Sequence, residues 1–375
     1  MRLSLEKKNN QHIVDKQDKK SKLIPEQMNA CLFYGPRDIR YEQIPIPEIS
    51  DEEILVKVKT VLTCGTDLKT FQRSHPKLIR SIPSTFGHQF SGIIVNKGNN
   101  VYSFKLGQKI IALNSAPCFK CTYCKRKQYS ICENIEFLNG AYAEYIKVPE
   151  RILKHNTYII PENIDFKIAA ILESLSVVIH GIEKSEITKD KTVCIIGTGS
   201  IGLLYVILLK LIGARVISIG RKESKLLLAR KLGANYIVNL NNYSSNSTLL
   251  LDHIKNITNK VGPDVVIEAA GYPELWQLAT EIVCKGGLVN FFGGCSKGTQ
   301  VQLDTYRIHY DELKLVGVFH HTPEHVKKAL ELMKNNSILV DKIRQIITHK
   351  LPLNQLEEAF HLHEAGKAIQ VAIEP

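Results

Sequence analysis

A glycine-rich turn at residues 197–202, Gly-Thr-Gly-Ser-Ile-Gly, is the feature that most constrains how this chain folds. The apolar segment before it, 193–196, is typical of a buried strand, and an apolar segment with helical periodicity follows at 201–212. In such a unit the first glycine permits a tight turn, the second lets a pyrophosphate approach the backbone, and the third lets the helix pack on the strand. The alternative is a turn whose glycines serve packing only. The residues predicted to contact a dinucleotide are Gly197, Gly199, Ser200, Ile201 and Gly202.

Strand and helix patterns alternate on the carboxyl side of this turn. The predicted strands are 216–219, 236–239, 265–268 and 288–292, and the predicted helices are 223–232 and 275–284. The alternation is typical of an α/β architecture, the doubly wound parallel sheet of the Rossmann fold with helices on both faces. The polar stretch 241–248 is predicted to be a surface loop, and a further helix is predicted at 324–335.

The amino-terminal half of the chain has a different pattern of apolar and turn residues. Between about residues 31 and 149, short β-type runs are separated by Gly, Pro and Asn; they lie at 54–61, 92–95, 109–113 and 141–148. This pattern predicts a mostly antiparallel β domain. A chain of 375 residues is long enough for two such domains, each with its own core.

The residues after the second predicted strand bear on which dinucleotide binds. An NAD site usually places Asp or Glu there, on the ribose 2′-hydroxyl, but this chain reads Gly220-Arg221-Lys222. Gly220 leaves room for a 2′-phosphate, and Arg221 can bind a phosphate with two parallel hydrogen bonds. We therefore predict NADP in preference to NAD. The alternative is that Arg221 and Lys222 only begin a solvated helix.

Four of the nine cysteines fall within fifteen residues, and no export signal accompanies them. Thiols in a reducing compartment stay reduced, and four soft ligands with no open position are typical of a structural zinc site. Nearby lysine and arginine side chains at 120 and 125–127 would offset the negative charge of such a site. The alternatives are two disulfides or an iron–sulfur cluster. The predicted ligands are Cys118, Cys121, Cys124 and Cys132.

Three further residues of metal-ligating type are dispersed along the chain. Cys64 lies in Cys-Gly-Thr-Asp, His88 lies in Gly-His-Gln, and Glu173 lies inside the apolar run 168–179. A carboxylate in an apolar run is costly unless it is paired or bound to a metal, which makes Glu173 the most informative of the three. A lone cysteine is more often part of a core, and a lone histidine is more often a satisfied polar group. The spacing alone therefore leaves a catalytic zinc site and a structural interpretation open.

The net charge of +12 comes from 49 basic and 37 acidic residues. Residues 1–24 supply +4 of it, from seven basic and three acidic side chains, and are predicted to be a disordered basic extension, with a processed targeting segment as the alternative. The sequence contains neither an apolar run of about 18 residues nor a basic motif interleaved with aromatic residues. We therefore predict a cytoplasmic protein that binds neither membranes nor nucleic acids.

In combination these motifs resemble the zinc-dependent medium-chain dehydrogenases of the alcohol dehydrogenase superfamily, in particular the sorbitol, polyol and threonine dehydrogenase branch. The resemblance covers about residues 28–375. It is carried by the cysteine quartet and by CGTD at 64–67, GH at 87–88, LNGAYAEY at 138–145, LES at 172–174 and GTGSIG at 197–202. The resemblance implies a GroES-like catalytic domain over 25–175, a Rossmann domain over 176–319, a return to the catalytic domain over 320–375, and an active site between the domains.

The resemblance also implies roles for individual residues. Cys64 and His88 would be ligands of a catalytic zinc ion, with Glu173 in the third ligand position. Thr66 would bond the substrate oxygen and begin a proton relay that ends at Lys69.

Two positions depart from the family pattern. Gln89 stands where the family usually has Glu, which puts a further contact to the zinc ion in doubt. Lys69 stands where the family often has His, which puts the last group of the relay in doubt. Arg73 and His75, which follow the CGTD turn, are interpreted as ordinary surface residues, with contact to a polar or anionic substrate as the alternative.

The function implied is a zinc-dependent transfer of hydride between NAD(P), with NADP preferred, and a secondary alcohol of polyol, sugar or amino-alcohol type. Two zinc ions per chain are expected, one catalytic and one structural, with a small alcohol or ketone as substrate. A homodimer or homotetramer is expected from the resemblance alone. The alternatives are a zinc-independent reductase of the same superfamily and a nucleotide-binding protein without turnover, which Gln89 and Lys69 would favour.

Overall fold

The computed structural model describes residues 24–75, 78–79, 81–243 and 247–375. The predicted basic extension lies outside the described residues except for Ile24. The strands of the described chain are β1 (Gln27–Gly35), β2 (Asp38–Pro45), β3 (Ile54–Leu62), β4 (Ser84–Thr85), β5 (Phe90–Lys97), β6 (Lys109–Ala112), β7 (Ser115–Ala116), β8 (Glu136–Phe137), β9 (Tyr145–Val148), β10 (Thr157–Ile159), β11 (Thr192–Ile196), β12 (Arg215–Gly220), β13 (Tyr236–Asn239), β14 (Val265–Glu268), β15 (Leu288–Phe291), β16 (Lys314–Gly317), β17 (Ile347–Pro352) and β18 (Gln370–Glu374).

The helices are α1 (Gly65–Arg73), α2 (Thr122–Lys125), α3 (Glu150–Asn156), α4 (Phe166–Ala170), α5 (Leu172–Lys184), α6 (Ser200–Ile212), α7 (Glu223–Leu232), α8 (Ser247–Ile257), α9 (Pro273–Ile282), α10 (Thr305–Tyr310), α11 (Pro323–Asn335), α12 (Ser337–Arg344) and α13 (Leu356–Glu364). Short 3₁₀ segments occur at Tyr129–Ile131, Leu240–Tyr243 and Leu353–Gln355. Among the described residues, no helix combines the length and the apolar character needed to cross a bilayer.

One sheet has six strands, in the order β13-β12-β11-β14-β15-β16, and every pairing in it is parallel. Strand order reverses between β11 and β14, and ligands of such sheets bind in the crevice at the carboxyl ends beside that reversal. The strands are apolar and buried because helices cover both faces; Cys194–Ile196 of β11 are fully buried. The predicted doubly wound parallel sheet is confirmed.

A second sheet gathers strands from both ends of the chain. Its order is β10-β6-β5-β3-β18-β17, and β9 also pairs with β3. All of these pairings are antiparallel except that of β17 with β18, which confirms the predicted antiparallel β domain. In the pairing of β18 with β3, Ala372 lies opposite Leu62. The carboxyl-terminal strand therefore supports the end of β3, directly before Cys64.

Helix α5 joins the two sheets. Every residue from Leu172 to Ile182 is buried, and the helix packs against α6 of the parallel sheet and against α11. One apolar core spans the junction, because Leu62 and Ile111 of the antiparallel sheet belong to the same cluster as α5 and α6. Glu173 lies in the first turn of α5 and is thereby carried into the junction.

Three local predictions from the sequence need correction. The stretch 241–248 is not simply a surface loop: Leu240–Tyr243 is a 3₁₀ helix and α8 begins at Ser247, because the apolar residues that follow set a helical face that packs on α9. The predicted strand 141–148 shortens to β9, since residues 141–144 instead form backbone bonds to Gly87, Phe86 and Asn29. Strand β16 and helix α5 were absent from the sequence-based prediction, because β16 has only four residues and 168–179 was interpreted as a single apolar run.

Candidate active site between the two domains

Cys64 lies at the junction between β3 and α1. The backbone of Thr63 donates to Val371 O at 3.0 Å, which anchors the end of β3 to β18. Cys64 then caps α1, and its backbone N–H donates to Asp67 Oδ2 at 2.9 Å. Hydrogen bonds to β18 and to Asp67 therefore fix this turn, and the thiol of Cys64 is buried.

The imidazole of His88 meets that thiol. Cys64 Sγ and His88 Nε2 are 3.6 Å apart, and both side chains are buried. Two ligands of a tetrahedral zinc ion, with a Zn–S bond of about 2.3 Å and a Zn–N bond of about 2.05 Å, would lie about 3.6 Å apart. On the far side of the ring, Asp67 Oδ1 is 3.1 Å from His88 Nδ1. That carboxylate fixes the ring so that Nε2 faces the thiol, as metal-binding histidines require.

Glu173 lies beside this pair but is held by other groups. Gln89 Nε2 donates to Glu173 Oε2 at 2.6 Å, and Asn114 Nδ2 donates to Oε1 at 3.3 Å. Burial raises the pKa of Glu173, an effect that His88 and the bond from Gln89 partly offset. Donor atoms of Cys64, Asp67 and His88 lie within 4.8 Å of one another, whereas Glu173 falls in a separate group with His320 and His321. The described chain therefore brings two of the three predicted ligands into direct contact and leaves the third at their edge.

Gln89 points its amide nitrogen at Glu173 and its oxygen elsewhere. Gln370 Nε2 donates to Gln89 Oε1 at 3.3 Å, and Gln89 Nε2 also reaches Ser174 Oγ at 2.7 Å. In this orientation Gln89 orients Glu173 as a hydrogen-bond donor rather than offering an oxygen to a metal ion.

A pair of histidines, His320 and His321, was not identified from the sequence. His321 Nε2 donates to Asn114 Oδ1 at 2.9 Å, which turns the Asn114 amide toward Glu173. Burial and the neighbouring histidines lower the pKa of His321 well below its ordinary value, so the ring is neutral, and its Nδ1 is buried without a hydrogen-bond partner among the described residues. The adjacent His-His in the sequence was the available signal, but nothing local links it to Glu173.

The cysteine quartet forms a separate, closed group. Its four sulfur atoms lie within 4.8 Å of one another, with 4.0 Å between Cys118 and Cys124 and 3.8 Å between Cys121 and Cys132. Four thiolates around a tetrahedral zinc ion would be about 3.8 Å apart, whereas a disulfide requires about 2.05 Å. All four cysteines are reduced, and backbone N–H groups of Cys118 and Cys121 donate to the sulfurs of Cys132 and Cys118. The quartet could hold one tetrahedral metal ion and leaves no ligand position open.

The glycine-rich turn has the geometry that dinucleotide binding requires. Gly197 adopts a φ of +119° directly after β11. A Cβ at Gly202 would lie 1.9 Å from Gly197 O, so only glycine lets α6 pack against the turn. At Gly199, which caps α6, a Cβ would meet nothing within 4 Å. The open approach at Gly199 and the N–H groups of Ser200 and Ile201 can therefore accept a pyrophosphate.

The end of β12 lies beside this turn. A Cβ at Gly220 would be 2.6 Å from Thr198 Oγ1, so the close approach of the turn also explains this glycine. Arg221 is exposed and has one weak ionic contact, to Glu274 Oε1 at 3.8 Å. Its guanidinium can swing to a ligand, because a surface pair at that distance contributes little stability.

A cleft of about 1280 Å³ opens between the two domains. Thr66 and Lys69 of α1 line one wall, and Phe291, Phe292 and Gly294 at the end of β15 line the other. Lys69 Nζ donates to Gly294 O at 3.3 Å across the cleft. Burial and the neighbouring Arg73 lower the pKa of Lys69, and the carboxylate of Glu268 partly offsets this lowering.

Comparisons with known proteins agree with this arrangement. The family model for an alcohol dehydrogenase GroES-like domain matches residues 50–158, and that for a zinc-binding dehydrogenase matches residues 200–335. An L-threonine 3-dehydrogenase of Caldanaerobacter subterraneus subsp. tengcongensis is 32% identical over 341 residues, which cover 88% of this chain and 93% of that protein. The chain belongs to the zinc-type medium-chain dehydrogenases of the alcohol dehydrogenase superfamily.

Other members of this dehydrogenase family are similar over nearly their whole length. A sorbitol dehydrogenase of Bacillus subtilis (strain 168) is 29% identical over 361 residues, covering 94% of this chain and 98% of that protein. A crystal structure described as that of a zinc-binding dehydrogenase from Sinorhizobium meliloti 1021, bound to NADP, superposes with a TM-score of 0.82 at 29% identity, covering 94% of this chain and all of that one. This dehydrogenase thus shares both domains with its relatives, and the sequence-based resemblance is confirmed.

Proposed function

We propose that this dehydrogenase transfers a hydride between NAD(P), with NADP preferred, and a secondary alcohol of polyol, sugar or amino-alcohol type, with a zinc ion at Cys64 and His88. The observation that carries the proposal is the separation of 3.6 Å between His88 Nε2 and the Sγ atom of Cys64, two residues along the chain from Thr66, which lines the cleft between the domains. Relatives named as sorbitol and threonine dehydrogenases support the substrate class.

The residues divide the chemistry between them. A zinc ion held by Cys64 and His88 would supply Lewis acidity, and a bound nicotinamide would supply the hydride acceptor. The hydroxyl proton leaves through Thr66, and Lys69 stands next along α1 to receive it. Because its pKa is lowered, the Lys69 amine is more readily deprotonated near neutral pH than an ordinary lysine. The alcohol thus loses one hydride and one proton and becomes a ketone.

Glu173 stands as the third ligand of the proposed zinc site. Its carboxylate is buried, and the groups that donate hydrogen bonds to it among the described residues are all neutral: Gln89, Asn114 and Ser174. A buried carboxylate that forms no ion pair within 4.0 Å among the described residues favours a nearby metal ion, since an unpaired buried charge is costly. The cysteine quartet is proposed to hold a second, structural zinc ion, so two zinc ions are expected per chain.

Metal analysis tests the proposal together with substrate oxidation. Purified enzyme should contain two zinc ions per chain and reduce NADP with at least one polyol, sugar or amino alcohol of a panel. A content of one zinc per chain would favour the zinc-independent reductase, and two zinc ions without turnover on any alcohol would favour a nucleotide-binding protein.

The preference for NADP is proposed to rest on Arg221. The Arg221→Ala variant should weaken NADP binding about tenfold or more, because a bidentate contact to the 2′-phosphate is lost, and should leave NAD binding nearly unchanged. Fluorescence titration of NADPH and NADH measures both affinities. Equal losses for the two cofactors would remove Arg221 from 2′-phosphate recognition.

The oligomeric state and the cellular location of the enzyme are proposed from its family. We expect a homodimer or homotetramer in the cytoplasm, acting on a small alcohol or ketone. Light scattering on the purified protein measures the assembly, and a monomer at micromolar concentration would contradict it.

A further inference from the structure

Helix α1 presents one polar face to the cleft. Thr66, Lys69 and Arg73 follow the spacing i, i+3 and i+7, which places them on one side of the helix, and all three line the cleft. The buried residues of α1 are Asp67, Thr70 and Phe71. With a rise of about 1.5 Å per residue, Arg73 stands about 10 Å further along the helix than Thr66. The face therefore runs from the proposed site of hydride transfer toward the cleft mouth.

The cleft is strongly cationic. Two acidic side chains line it, Glu183 and Glu324. Glu183 is paired with Lys328 at 2.6 Å and with His325 at 3.3 Å. Glu324 lies in the first turn of α11, where the helix dipole stabilises a negative charge. None of the lysine and arginine residues of the cleft wall forms an ion pair within 4.0 Å with a carboxylate of the described residues. The lysine and arginine residues of the wall are Lys69, Arg73, Lys127, Lys184 and Lys297.

Two of these cations belong to segments that touch across the cleft. Arg73 Nη1 donates to Ser296 Oγ across the cleft, and Lys297 follows directly in the same loop. Arg73 is also close enough to Lys69 to lower its pKa, and the carboxylate of Glu268, which is not part of the cleft wall, acts on the pKa of Lys69 in the opposite direction. Both Arg73 and Lys297 are exposed, and a guanidinium beside an ammonium matches the oxygens of a dianion.

The phosphates of the cofactor do not account for these charges. The glycine-rich turn at 197–202 and Arg221, which are proposed to meet the pyrophosphate and the 2′-phosphate, are absent from the cleft wall. Arg73 lies on the wall that carries Thr66, and Lys297 lies on the opposite wall, in the loop that follows β15. Their position relative to Thr66 is that of groups that bind the far end of a substrate.

We propose that the alcohol oxidised by this enzyme carries an anionic group, a phosphate monoester, which Arg73 and Lys297 bind at the cleft mouth while the carbinol lies at Thr66. This inference rests on the proposed dehydrogenase function and specifies its substrate class. A carboxylate is the other source of the same charge. A phosphate monoester fits better, because its second negative charge and third terminal oxygen can engage both cations at once.

Initial rates with matched substrates test the inference on the NADP-loaded enzyme. D-Sorbitol, D-sorbitol 6-phosphate and D-gluconate present a similar chain with no anion, a phosphate and a carboxylate. We expect kcat/KM for the phosphate to exceed that for sorbitol by about 10- to 100-fold, mainly through KM, with gluconate between them. Added salt should reduce the advantage of the phosphate and leave the rate with sorbitol unchanged.

Variants locate the effect. The double variant R73Q/K297Q should lose the preference for the phosphate, measured as the ratio of kcat/KM for sorbitol 6-phosphate to kcat/KM for sorbitol, and Arg73→Lys should retain part of that preference. Lys231→Gln, an exposed lysine of α7 outside the cleft wall, removes one positive charge as a control and should change nothing.

Calorimetric titration of inorganic phosphate into the NADP-loaded enzyme gives a readout that needs no turnover. Binding that is lost in R73Q/K297Q supports the inference. Equal kcat/KM for sorbitol and its phosphate, or no binding of phosphate, overturns it and leaves the dehydrogenase function standing. A higher rate with gluconate than with the phosphate assigns the cations to a carboxylate substrate and overturns the phosphate assignment. No oxidation of any alcohol, together with one zinc per chain, defeats the proposed function itself.

Discussion

The two groups of potential metal ligands are built in opposite ways. The quartet draws all four sulfurs from fifteen consecutive residues and supports them with backbone N–H groups of the same loop. Cys64, His88 and Glu173 are separated by 24 and 85 residues and come from the end of β3, the segment before β5 and the first turn of α5. The quartet therefore depends on its own loop, whereas the dispersed group depends on the whole fold.

The dispersed group also recruits supports from the far end of the chain. His321 orients Asn114, and Gln370 orients Gln89, and these two amides hold the Glu173 carboxylate. Each support is a hydrogen bond between residues distant in sequence. A change in the dispersed group should therefore alter chemistry with little loss of local structure, and a change in the quartet should do the reverse.

The largest effect is expected for Cys64→Ser. Replacing the thiolate removes a ligand of the proposed catalytic zinc, so kcat should fall about 10³-fold or more while NADPH binding and the melting temperature stay nearly unchanged. Steady-state kinetics, fluorescence titration and zinc analysis measure these quantities. Cys31→Ser, at another buried thiol of the same domain, is the matched control. If C64S retained turnover, Cys64 would not be a ligand of a catalytic zinc ion, and the dispersed group would not differ from the quartet in this way.

Cys124→Ser should produce the opposite pattern. Losing one thiolate releases the proposed structural zinc, so the melting temperature should fall by roughly 5 °C or more and proteases should cut within 118–132. The turnover of molecules that stay folded should change little. Differential scanning calorimetry and limited proteolysis test this, and an unchanged melting temperature would show that the loop does not need a metal ion.

Asp67→Asn is a milder change, because Asp67 is not a member of the dispersed group but contacts one of its members, His88. The variant keeps the shape of the side chain but removes the charge that fixes the His88 ring, so zinc affinity at this site should fall about 10- to 100-fold. Competition with a chelator measures the affinity, and Gln72→Ala, on the exposed side of α1, is the control. An unchanged affinity would show that packing alone positions His88.

The smallest effect concerns pH and the support of the Cys64 turn. His363 Nε2 lies 2.7 Å from the Thr63 hydroxyl, and burial together with Lys225 lowers the pKa of His363 from its ordinary 6.5 to about 4. Below pH 6.5 the unfolded chain binds a proton that the folded chain does not, so stability is fully present above 6.5 and is lost as pH falls toward 4.

Between pH 7.5 and pH 5 the free energy of unfolding should therefore drop by about 1–2 kcal/mol more in the wild type than in His363→Gln. Urea unfolding at the two pH values measures the drop. His309→Gln, at an exposed histidine of α10, should behave as the wild type. Equal drops in wild type and H363Q would mean that His363 titrates normally.

Much of the fold followed from local patterns. The alternation of strands and helices predicted the parallel sheet, and the short runs of the amino-terminal half predicted the antiparallel one. Helix α5 was missed because its polar residues, such as Glu173, Ser176 and His180, are buried together with its apolar ones, so they do not mark a side that faces solvent. The prediction of a surface loop at 241–248 was wrong because the polar residues of this stretch include the start of α8.

Residue order alone was enough to predict the elements whose atoms are neighbours along the chain: the turn at 197–202 and the four cysteines of the quartet. Short loops restrict these residues to a few geometries, so residue type and spacing suffice. Only the tertiary structure decided that Asp67 faces His88, that Gln89 gives its nitrogen to Glu173, and that Thr66, Lys69 and Arg73 face the cleft. Those contacts arise where two sheets pack on α5, and packing across long separations leaves no local pattern in the residues that it brings together.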